Sequence, residues 1–268
     1  MMDKNGLDLG FYNSSFVCFP LPKQAVGNSY THELSLGTLS FSSMTEVPYG
    51  LYARLALISM TNLAFRSKES VITSFTLYSL LSGLRYLKPT GKQLERFAHQ
   101  LENWSSTLIS LRYEEESRMS IQNLLLVDSA DFRLEKDLDD NMHVYLSLTE
   151  KGKDFLQKAS FPMPLDALQK ITHAFDFDTL AWLISSIYQV SKKDEPRLIA
   201  WPHLCNQFHI TPNNFPRFKT SFGKSLFRVQ QSFYPGAKIY RVPEGIIVDK
   251  SPLLTQERKS NVLMLPSL

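Results

Sequence analysis

The sequence predicts an α+β protein that consists of two tandem winged-helix domains. The clearest observation is the stretch from Asn213 to Lys250, which reads as an amphipathic helix followed by a two-stranded hairpin. A second observation is that helices and short strands recur in the same order upstream, within residues 46–158. The third is composition, since 268 residues with 43% hydrophobic and 12% aromatic side chains can bury two cores of ordinary size.

The helix of the C-terminal stretch has two distinct sides when its residues are placed at intervals of about 100°. The apolar side holds Phe215, Phe218, Phe222, Leu226, Val229 and Phe233. A narrow stripe nearly opposite holds Arg217, Lys224, Arg228 and Gln231. The hairpin, AKIYRV and IIVDK around a Pro-Glu-Gly turn, adds Lys238 and Arg241. This layout is typical of a winged helix that holds nucleic acid, and the alternative for this stretch alone is a solvated helix with an ordinary hairpin.

The upstream unit follows the order helix, strand, helix, turn, helix. The helix LYARLALISMTNLAFRS precedes the strand VITSF, a helix LYSLLSGL with Thr76 as its N-cap, and a turn at Pro89 and Gly91. Arg, Asn and Gln side chains make bidentate contacts to base edges. We therefore take one polar side of the next helix as a candidate DNA contact, with a solvated outer face as the alternative; it carries Lys92, Arg96, His99, Gln100 and Asn103.

A wing is expected after that helix, because LRYEE, SIQNLLLVDSADFR and MHVYLSLT alternate as strands do. An acidic loop at residues 135–141 separates the last two strands. Since carboxylates repel phosphates, we expect this loop to point away from DNA, toward solvent or a protein partner.

A joint rich in proline separates the two predicted domains. Pro162 and Pro164 follow the helical segment EKGKDFLQ, so we place the boundary close to residue 158. Beyond it come a helix with an Asp N-cap, FDFDTLAWLISSIYQV, the strand RLIAW, the short helix HLCNQF, and then the C-terminal helix and hairpin. The predicted division is a partly ordered arm, two winged-helix domains and a tail, over residues 1–45, 46–158, 159–250 and 251–268.

Charge is distributed unevenly, although the net charge is only +3. Residues 114–196 contain 9 basic and 16 acidic residues, whereas residues 197–250 contain 8 basic and 2 acidic ones. This predicts an anionic partner for the basic part, or else attraction between the two parts. The two cysteines, Cys18 and Cys205, form no disulfide framework and suit a reducing cytoplasm. We expect neither a signal peptide nor a membrane span, which needs roughly 18 apolar residues.

Sequence motifs for catalysis, metals and cofactors are not convincing. Gly223-Lys224-Ser225 resembles the end of a phosphate-binding loop, but Phe218 stands where the earlier glycine belongs and the segment reads as a helix. His203, Cys205 and His209 are closely spaced zinc ligands without an evident fourth, so we expect no zinc site. Since no nucleophile and base pattern is present either, we predict no enzyme activity, no cofactor and no metal.

Several sequence blocks, taken together, resemble plasmid-encoded replication initiators of the RepA type, in particular the family that shares a C-terminal RepA region. They cover roughly 200 residues in the family's order and spacing. Two departures are a first recognition-like helix with fewer arginines and the acidic loop, which has no counterpart. The blocks are VPYGLYARLALISMTNLAFRSKES, Pro89-Thr90-Gly91 with its helix, FPMPLDALQKI, FDFDTLAWLISSIYQV, IAWPHLCNQF and FPRFKTSFGKSLFRVQQSFYPGAKIYRVPEGIIV.

The resemblance implies a protein that binds double-stranded DNA at repeated sites of a plasmid origin, helps to open the duplex and recruits host initiator and helicase proteins. It also allows a homodimer that represses its own promoter. On this hypothesis Lys224, Arg228, Arg217 and Gln231 lie at a major groove, and Lys238 and Arg241 hold phosphate or reach a minor groove. Lys92, Arg96, His99 and Asn103 serve the first domain.

Changing Lys224 and Arg228 together to Ala is then expected to weaken DNA binding and flatten its salt dependence. Two other classes of function remain open. One is a winged-helix transcription regulator without initiator activity. The other is a protein-interaction scaffold whose basic part docks on an acidic partner.

Overall fold

The structure is a computed structural model, which describes residues 9–34, 37–66, 73–84, 88–115, 118–135, 141–158, 160–193 and 195–253. Contacts divide the chain into an N-terminal unit, Gly10–Ala174, and a C-terminal unit that comprises Leu9 and the residues from Phe175 onward. The predicted acidic loop, apart from its ends, and most of the predicted tail lie outside the described residues. Within the described part, no helix is both long and apolar enough to span a bilayer.

The N-terminal unit is organised around one buried helix, α2 (Gly50–Arg66). Every residue from Ala53 to Thr61 is buried, because α2 packs against α4 (Gly91–Ser105) and α5 (Glu150–Gln157). The indole of Trp104 on α4 donates a hydrogen bond to the carbonyl of Ala53 at 2.9 Å. The other helices in the described part of this unit are α1 (Ser15–Cys18), α3 (Leu77–Leu84) and α6 (Leu165–Lys170). The predicted N-cap of α3 is confirmed, since the amide of Ser79 donates to Oγ1 of Thr76 at 3.0 Å.

The N-terminal unit contains three separate sheets among its described residues. One pairs β1 (Leu9–Asn13) with β9 (Ser160–Pro164). The second has the order β2-β3-β5-β6 and joins Ser29–Leu34, Gly37–Ser43, Thr107–Glu115 and Arg118–Leu125. The third has the order β4-β8-β7 and joins Thr73–Thr76, Asn141–Leu148 and Val127–Glu135.

The strand pattern after α4 predicts a single wing, whereas the structure has two hairpins in two different sheets. SIQNLLLVDSADFR breaks at Leu126, and its halves β6 and β7 belong to different sheets. The hairpin β5–β6 joins β2–β3, and only β7–β8 forms the wing-like hairpin that pairs with β4. The physical reason is that alternation shows which residues form strands, but it does not show which neighbour each strand pairs with.

Part of the predicted arm, from residue 10 onward, is built into the N-terminal unit. The fully buried guanidinium of Arg54 donates to the carbonyls of Leu21 at 2.7 Å, Pro22 at 3.3 Å and Gly50 at 2.7 Å. Gly50 has φ of 70°, a left-handed conformation that glycine adopts without steric cost. The glycine and arginine of the PYG-x-x-x-R block therefore have structural roles.

The boundary between the units differs from the predicted position at residue 158. The side-chain amide of Asn13 donates to the carbonyl of Phe155 at 2.6 Å, which ties β1 to α5. Gln157 donates to the carbonyl of Ala64 at 2.5 Å, which ties α5 to α2. With β9 paired to β1, the contact division falls between Ala174 and Phe175.

The C-terminal unit has the element order predicted for a winged helix. It consists of α7 (Ala174–Lys193), β10 (Arg197–Ala200), α8 (Trp201–Gln207), a 3₁₀ turn (Pro212–Asn214), α9 (Phe215–Phe233), β11 (Ile239–Arg241) and β12 (Gly245–Val248). The sheet order is β10-β12-β11, with both pairs antiparallel. The predicted hairpin is confirmed, and its second strand begins at the glycine of the turn.

The core of the C-terminal unit is a cluster of aromatic rings around Phe222 on α9. Its ring centroid lies 5.2 Å from Trp182 of α7, 6.3 Å from Trp201 and 5.3 Å from Phe208. Phe218, Leu226 and Val229 are also buried, as the apolar side of the predicted helix requires. Since these rings come from α7, α8 and α9, they fix the orientation of α9 and decide which of its faces meets solvent.

Candidate nucleic-acid interface

The outer face of α9 is cationic and exposed. α9 carries four basic residues and no acidic one. Arg217, Lys224, Arg228 and Gln231, the residues of the predicted stripe, are all exposed. The fold thus brings the predicted stripe together on one open surface, which we call the α9 face.

Arg228 differs from the other cations of the α9 face because a carboxylate holds it. Its Nε lies 3.2 Å from Oδ2 of Asp176 and its Nη2 lies 2.5 Å from Oδ1. The side chain of Asp176 is only 10% exposed, whereas that of Arg228 is 56% exposed. The pair therefore has a buried acidic end and an open basic end.

Asp176 is held by further contacts within the C-terminal unit. Ser225 donates its hydroxyl hydrogen to Oδ1 of Asp176 at 2.6 Å and lies 3.0 Å from the hydroxyl of Thr179. Helix α7 begins at Ala174, so Asp176 lies in the first turn of the helix and not at the predicted N-cap position. In the first turn, the positive end of the helix dipole still stabilises its carboxylate. Ser225, part of the sequence that resembled a phosphate-binding loop, is buried and serves this contact.

A second group of cations packs on the indole of Trp201. The guanidinium of Arg241 lies 5.6 Å from the ring centroid of Trp201, and Nζ of Lys219 lies 5.4 Å from it. Nζ of Lys219 also lies 4.4 Å from the ring of Phe215. Gly223 leaves room for this arrangement, since a Cβ there would lie 2.9 Å from Nη1 of Arg241. Cation–π contacts of this kind orient a charged side chain without neutralising it.

Phe227 is a candidate contact that sequence reasoning missed. It is 66% exposed and lies on α9 between Lys224 and Gln231. A phenyl ring on a solvated cationic face has apolar area available to a partner, and Phe makes apolar contact with the methyl group of thymine. The sequence signal was present, because Phe227 falls outside the apolar side of the predicted helix.

The hairpin β11–β12 continues the basic surface. The side chains of Lys238 and Arg241 are exposed, and Tyr240 between them is 54% exposed. The amide of Lys238 donates to Oγ of Ser251 at 2.8 Å, which fixes the start of the hairpin to the chain that follows it.

Helix α4 presents fewer free polar groups than its sequence predicts. Lys92 and Arg96 are exposed, and Nε2 of His99 lies 3.8 Å from a carboxylate oxygen of Glu46. Burial, and then the charge of Glu46, raise the pKa of Tyr49, whose ring packs edge-on against His99.

Asn103 and Gln100 are not available to DNA, and this corrects the prediction for Asn103. Asn103 is fully buried, and its side-chain carbonyl accepts a hydrogen bond from Thr45 at 3.0 Å. The carbonyl of the Gln100 side chain accepts from the amide of Tyr49 at 2.9 Å. The reason is that the segment before α2 packs on this side of α4 and takes its polar partners there.

A groove of about 690 Å³ runs beside α4. Arg96 and His99 line it together with Glu95 and Glu102. Since the groove carries both signs of charge, it attracts a polyanion less than the α9 face does.

The predicted absence of a zinc site remains a prediction. Cys205 is buried in α8, and burial raises the pKa of its thiol, with nearby Lys219 opposing the shift. Among the residues that the structure covers, no three His, Cys, Asp or Glu side chains come together as a metal-binding group.

Comparison with known proteins identifies a fold but no family. No protein-family model matches the chain, and no curated protein matches it significantly. A crystal structure of selenomethionine derivatives of domain 2 and domain 3 of RctB matches with a TM-score of 0.61 and 12% identity, over 89% of this chain and 97% of that chain. A second crystal structure of RctB domains 2–3 matches with a TM-score of 0.55 and 12% identity, over 87% and 94%. The chain therefore has the α+β fold of this pair of domains.

Proposed function

We propose that this protein is a replication initiator that binds double-stranded DNA, with the α9 face and the hairpin β11–β12 as the principal contact. The observation that supports this proposal most strongly is the α9 face, where Arg217, Lys224 and Arg228 are exposed on a helix without acidic residues. The aromatic core fixes that helix with its cations outward. Such a helix fits a major groove, and an adjoining basic hairpin holds the phosphates beside it.

The initiator part of the proposal rests on two supports. RctB, whose domains 2 and 3 have the same fold, is a replication initiator. The sequence blocks described above resemble plasmid initiators of the RepA type. On this basis the protein binds repeats at a plasmid origin, promotes opening of the duplex and recruits host initiator and helicase proteins. It has no catalytic activity of its own.

Arg217 and Lys224 make a better test pair than Lys224 and Arg228. Removing Arg228 leaves the buried carboxylate of Asp176 without its counter-charge, which destabilises the protein and obscures any effect on binding. Arg217→Ala with Lys224→Ala is expected to lower affinity for duplexes taken from the DNA that flanks the gene. The slope of log affinity against log salt is expected to fall by roughly one per lost phosphate contact. Fluorescence anisotropy at several salt concentrations measures both.

The matched control removes two lysines from the last turn of α7, Lys192→Ala with Lys193→Ala. This turn lies roughly 25 Å along α7 from Asp176. Its Ser191 lines a pocket with Lys238, so any residual effect of the control reports on the hairpin rather than on the α9 face. The control is expected to leave affinity and salt slope nearly unchanged. Equal effects of the two double variants would contradict a specific role for the α9 face.

A plasmid maintenance assay separates an initiator from a transcription regulator. The gene with its flanking DNA is placed on a plasmid that lacks another origin. An initiator sustains this plasmid, and the Arg217→Ala, Lys224→Ala variant does not. A protein that binds the flanking repeats without sustaining the plasmid is a regulator, and one that binds no DNA at low salt is a protein-interaction scaffold.

A further inference from the structure

Resting on the proposed function, we infer that Asp176 is a positioning residue, which holds Arg228 so that its outer edge reads a guanine in the major groove. The carboxylate occupies the inner edge of the guanidinium, at Nε and Nη2. Within the described part of the chain, that guanidinium has no hydrogen-bond or ion-pair partner other than Asp176. The inner edge is thus committed to the protein and the outer edge is open.

The donor inventory of arginine shows what the outer edge offers. A guanidinium has five N–H groups, and two are directed at Asp176. The other hydrogen of Nη2 and both hydrogens of Nη1 remain. One hydrogen from each of these nitrogens points outward along parallel directions. This fork matches the O6 and N7 acceptors of guanine, which is the commonest specific contact in major grooves.

The anchor is rigid, and this rigidity distinguishes Arg228 from the other cations of the α9 face. Asp176 is fixed by Ser225 on α9 and by its place in the first turn of α7. Arg228 therefore loses little side-chain freedom when it meets a base, whereas an exposed side chain must be ordered on binding. Arg217 and Lys224 fit phosphate contacts, which tolerate a movable charge.

The test uses full-length protein and duplexes of 30 base pairs that the wild-type protein selects from a random pool. Each guanine of the best duplex is replaced in turn by 7-deazaguanine, which keeps base pairing but lacks the N7 acceptor. Wild-type protein is expected to lose roughly 10- to 100-fold in affinity at one guanine of each bound site. For Asp176→Asn, the same 7-deazaguanine replacement is expected to lower affinity by no more than about threefold, because the variant keeps its phosphate contacts but loses the guanine contact.

Two comparison variants separate positioning from stability. Thr179→Val removes a buried hydroxyl of the same cluster that does not contact Arg228, and it is expected to lower the thermal midpoint but keep the 7-deazaguanine effect. Arg228→Lys keeps the charge but has no fork, and it is expected to lose the effect as Asp176→Asn does.

Three outcomes overturn the inference. In the first, Asp176→Asn keeps the full guanine effect. In the second, Asp176→Asn and Thr179→Val weaken binding to every duplex equally. In the third, wild-type protein selects duplexes, but replacing any of their guanines by 7-deazaguanine leaves its affinity unchanged. That result overturns the role of Asp176 and leaves the proposed DNA binding in place. A wild-type protein that enriches no duplex even at low salt removes the proposed function as well.

Discussion

At the residue scale, three arginines with similar sequence surroundings have three different roles. Arg54 is fully buried and holds backbone carbonyls. Arg228 is half-exposed and shares a buried carboxylate. Arg241 packs on the indole of Trp201. An arginine therefore counts as a DNA contact only where its partners leave donors open.

Phe227 is the residue whose role in binding is simplest to test. Phe227→Ala is expected to lower DNA affinity roughly tenfold with little change in thermal midpoint, because the ring is exposed and an exposed phenyl ring can make apolar contact with a thymine methyl. Replacing thymines of the bound duplex by uracil, which lacks that methyl, measures the same contact from the other side. Wild-type protein is expected to lose affinity when one particular thymine is replaced by uracil, whereas the Phe227→Ala variant is expected to bind both duplexes equally.

Tyr188→Ala is the control for Phe227, since it removes another exposed aromatic ring, from α7. It is expected to leave the uracil effect intact. A Phe227→Ala variant that still binds the thymine duplex more tightly than the uracil duplex would contradict the contact between this ring and the thymine methyl.

Arg54 carries a prediction about stability. Arg54→Met is expected to lower the free energy of unfolding by about 3 kcal/mol, because the carbonyls of Leu21 and Gly50 lose the guanidinium donor and that of Pro22 keeps only the amide of Gly50. Urea unfolding followed by circular dichroism measures this. Arg66→Met removes an exposed arginine from the end of the same helix and is expected to change stability by less than about 0.5 kcal/mol.

At the scale of elements, two glycines of the C-terminal unit set how closely neighbouring elements approach. Gly223 lies within α9 beneath Arg241, and Gly245 begins β12 against β10. A Cβ on Gly223 meets the tip of a flexible side chain at 2.9 Å, whereas a Cβ on Gly245 meets the backbone oxygen of Ile199 at 2.1 Å. The first contact can relax and the second cannot.

The two alanine variants are therefore expected to differ sharply. Gly223→Ala gains up to about 1 kcal/mol of helix propensity, offset by displacement of Arg241 from Trp201, so its thermal midpoint stays close to wild type. Gly245→Ala separates β10 from β12 and is expected to cost about 3 kcal/mol. Thermal unfolding of both variants checks the order, and a reversed order would contradict the described sheet register.

At the scale of the whole molecule, the N-terminal unit has β5 and β6 inserted into the order of elements that the C-terminal unit shows, and the two units offer different surfaces to a polyanion. The α9 face of the C-terminal unit lacks acidic residues, whereas the groove beside α4 contains Glu95 and Glu102. Lys92→Ala with Arg96→Ala is therefore expected to lower DNA affinity and salt slope less than Arg217→Ala with Lys224→Ala. Anisotropy titrations of both double variants test this, and a larger effect at α4 would make the N-terminal unit the principal contact.

The local elements around the candidate site follow from the sequence. Periodicity predicted α9, its buried phenyl rings and its exposed cations, and the Pro-Glu-Gly turn predicted the hairpin. These features depend on residues within a few positions of each other. The side chains of α9 are sorted by a repeat of 3.6 residues, which the sequence displays directly.

Partnerships over long separations were decided by the tertiary structure. Asp176 and Arg228 lie 52 positions apart, and no local pattern pairs them. Asn103 and Gln100 fall on a polar side of α4, and only the packing of residues 45–49 makes that side buried. Strand alternation likewise left the partners of β5 and β6 open. The sequence by itself determined a basic helix and hairpin on an aromatic core, because local periodicity sorts apolar from charged side chains. The folded chain decided which charges stay open to a ligand, because each long-range contact removes particular donors from solvent.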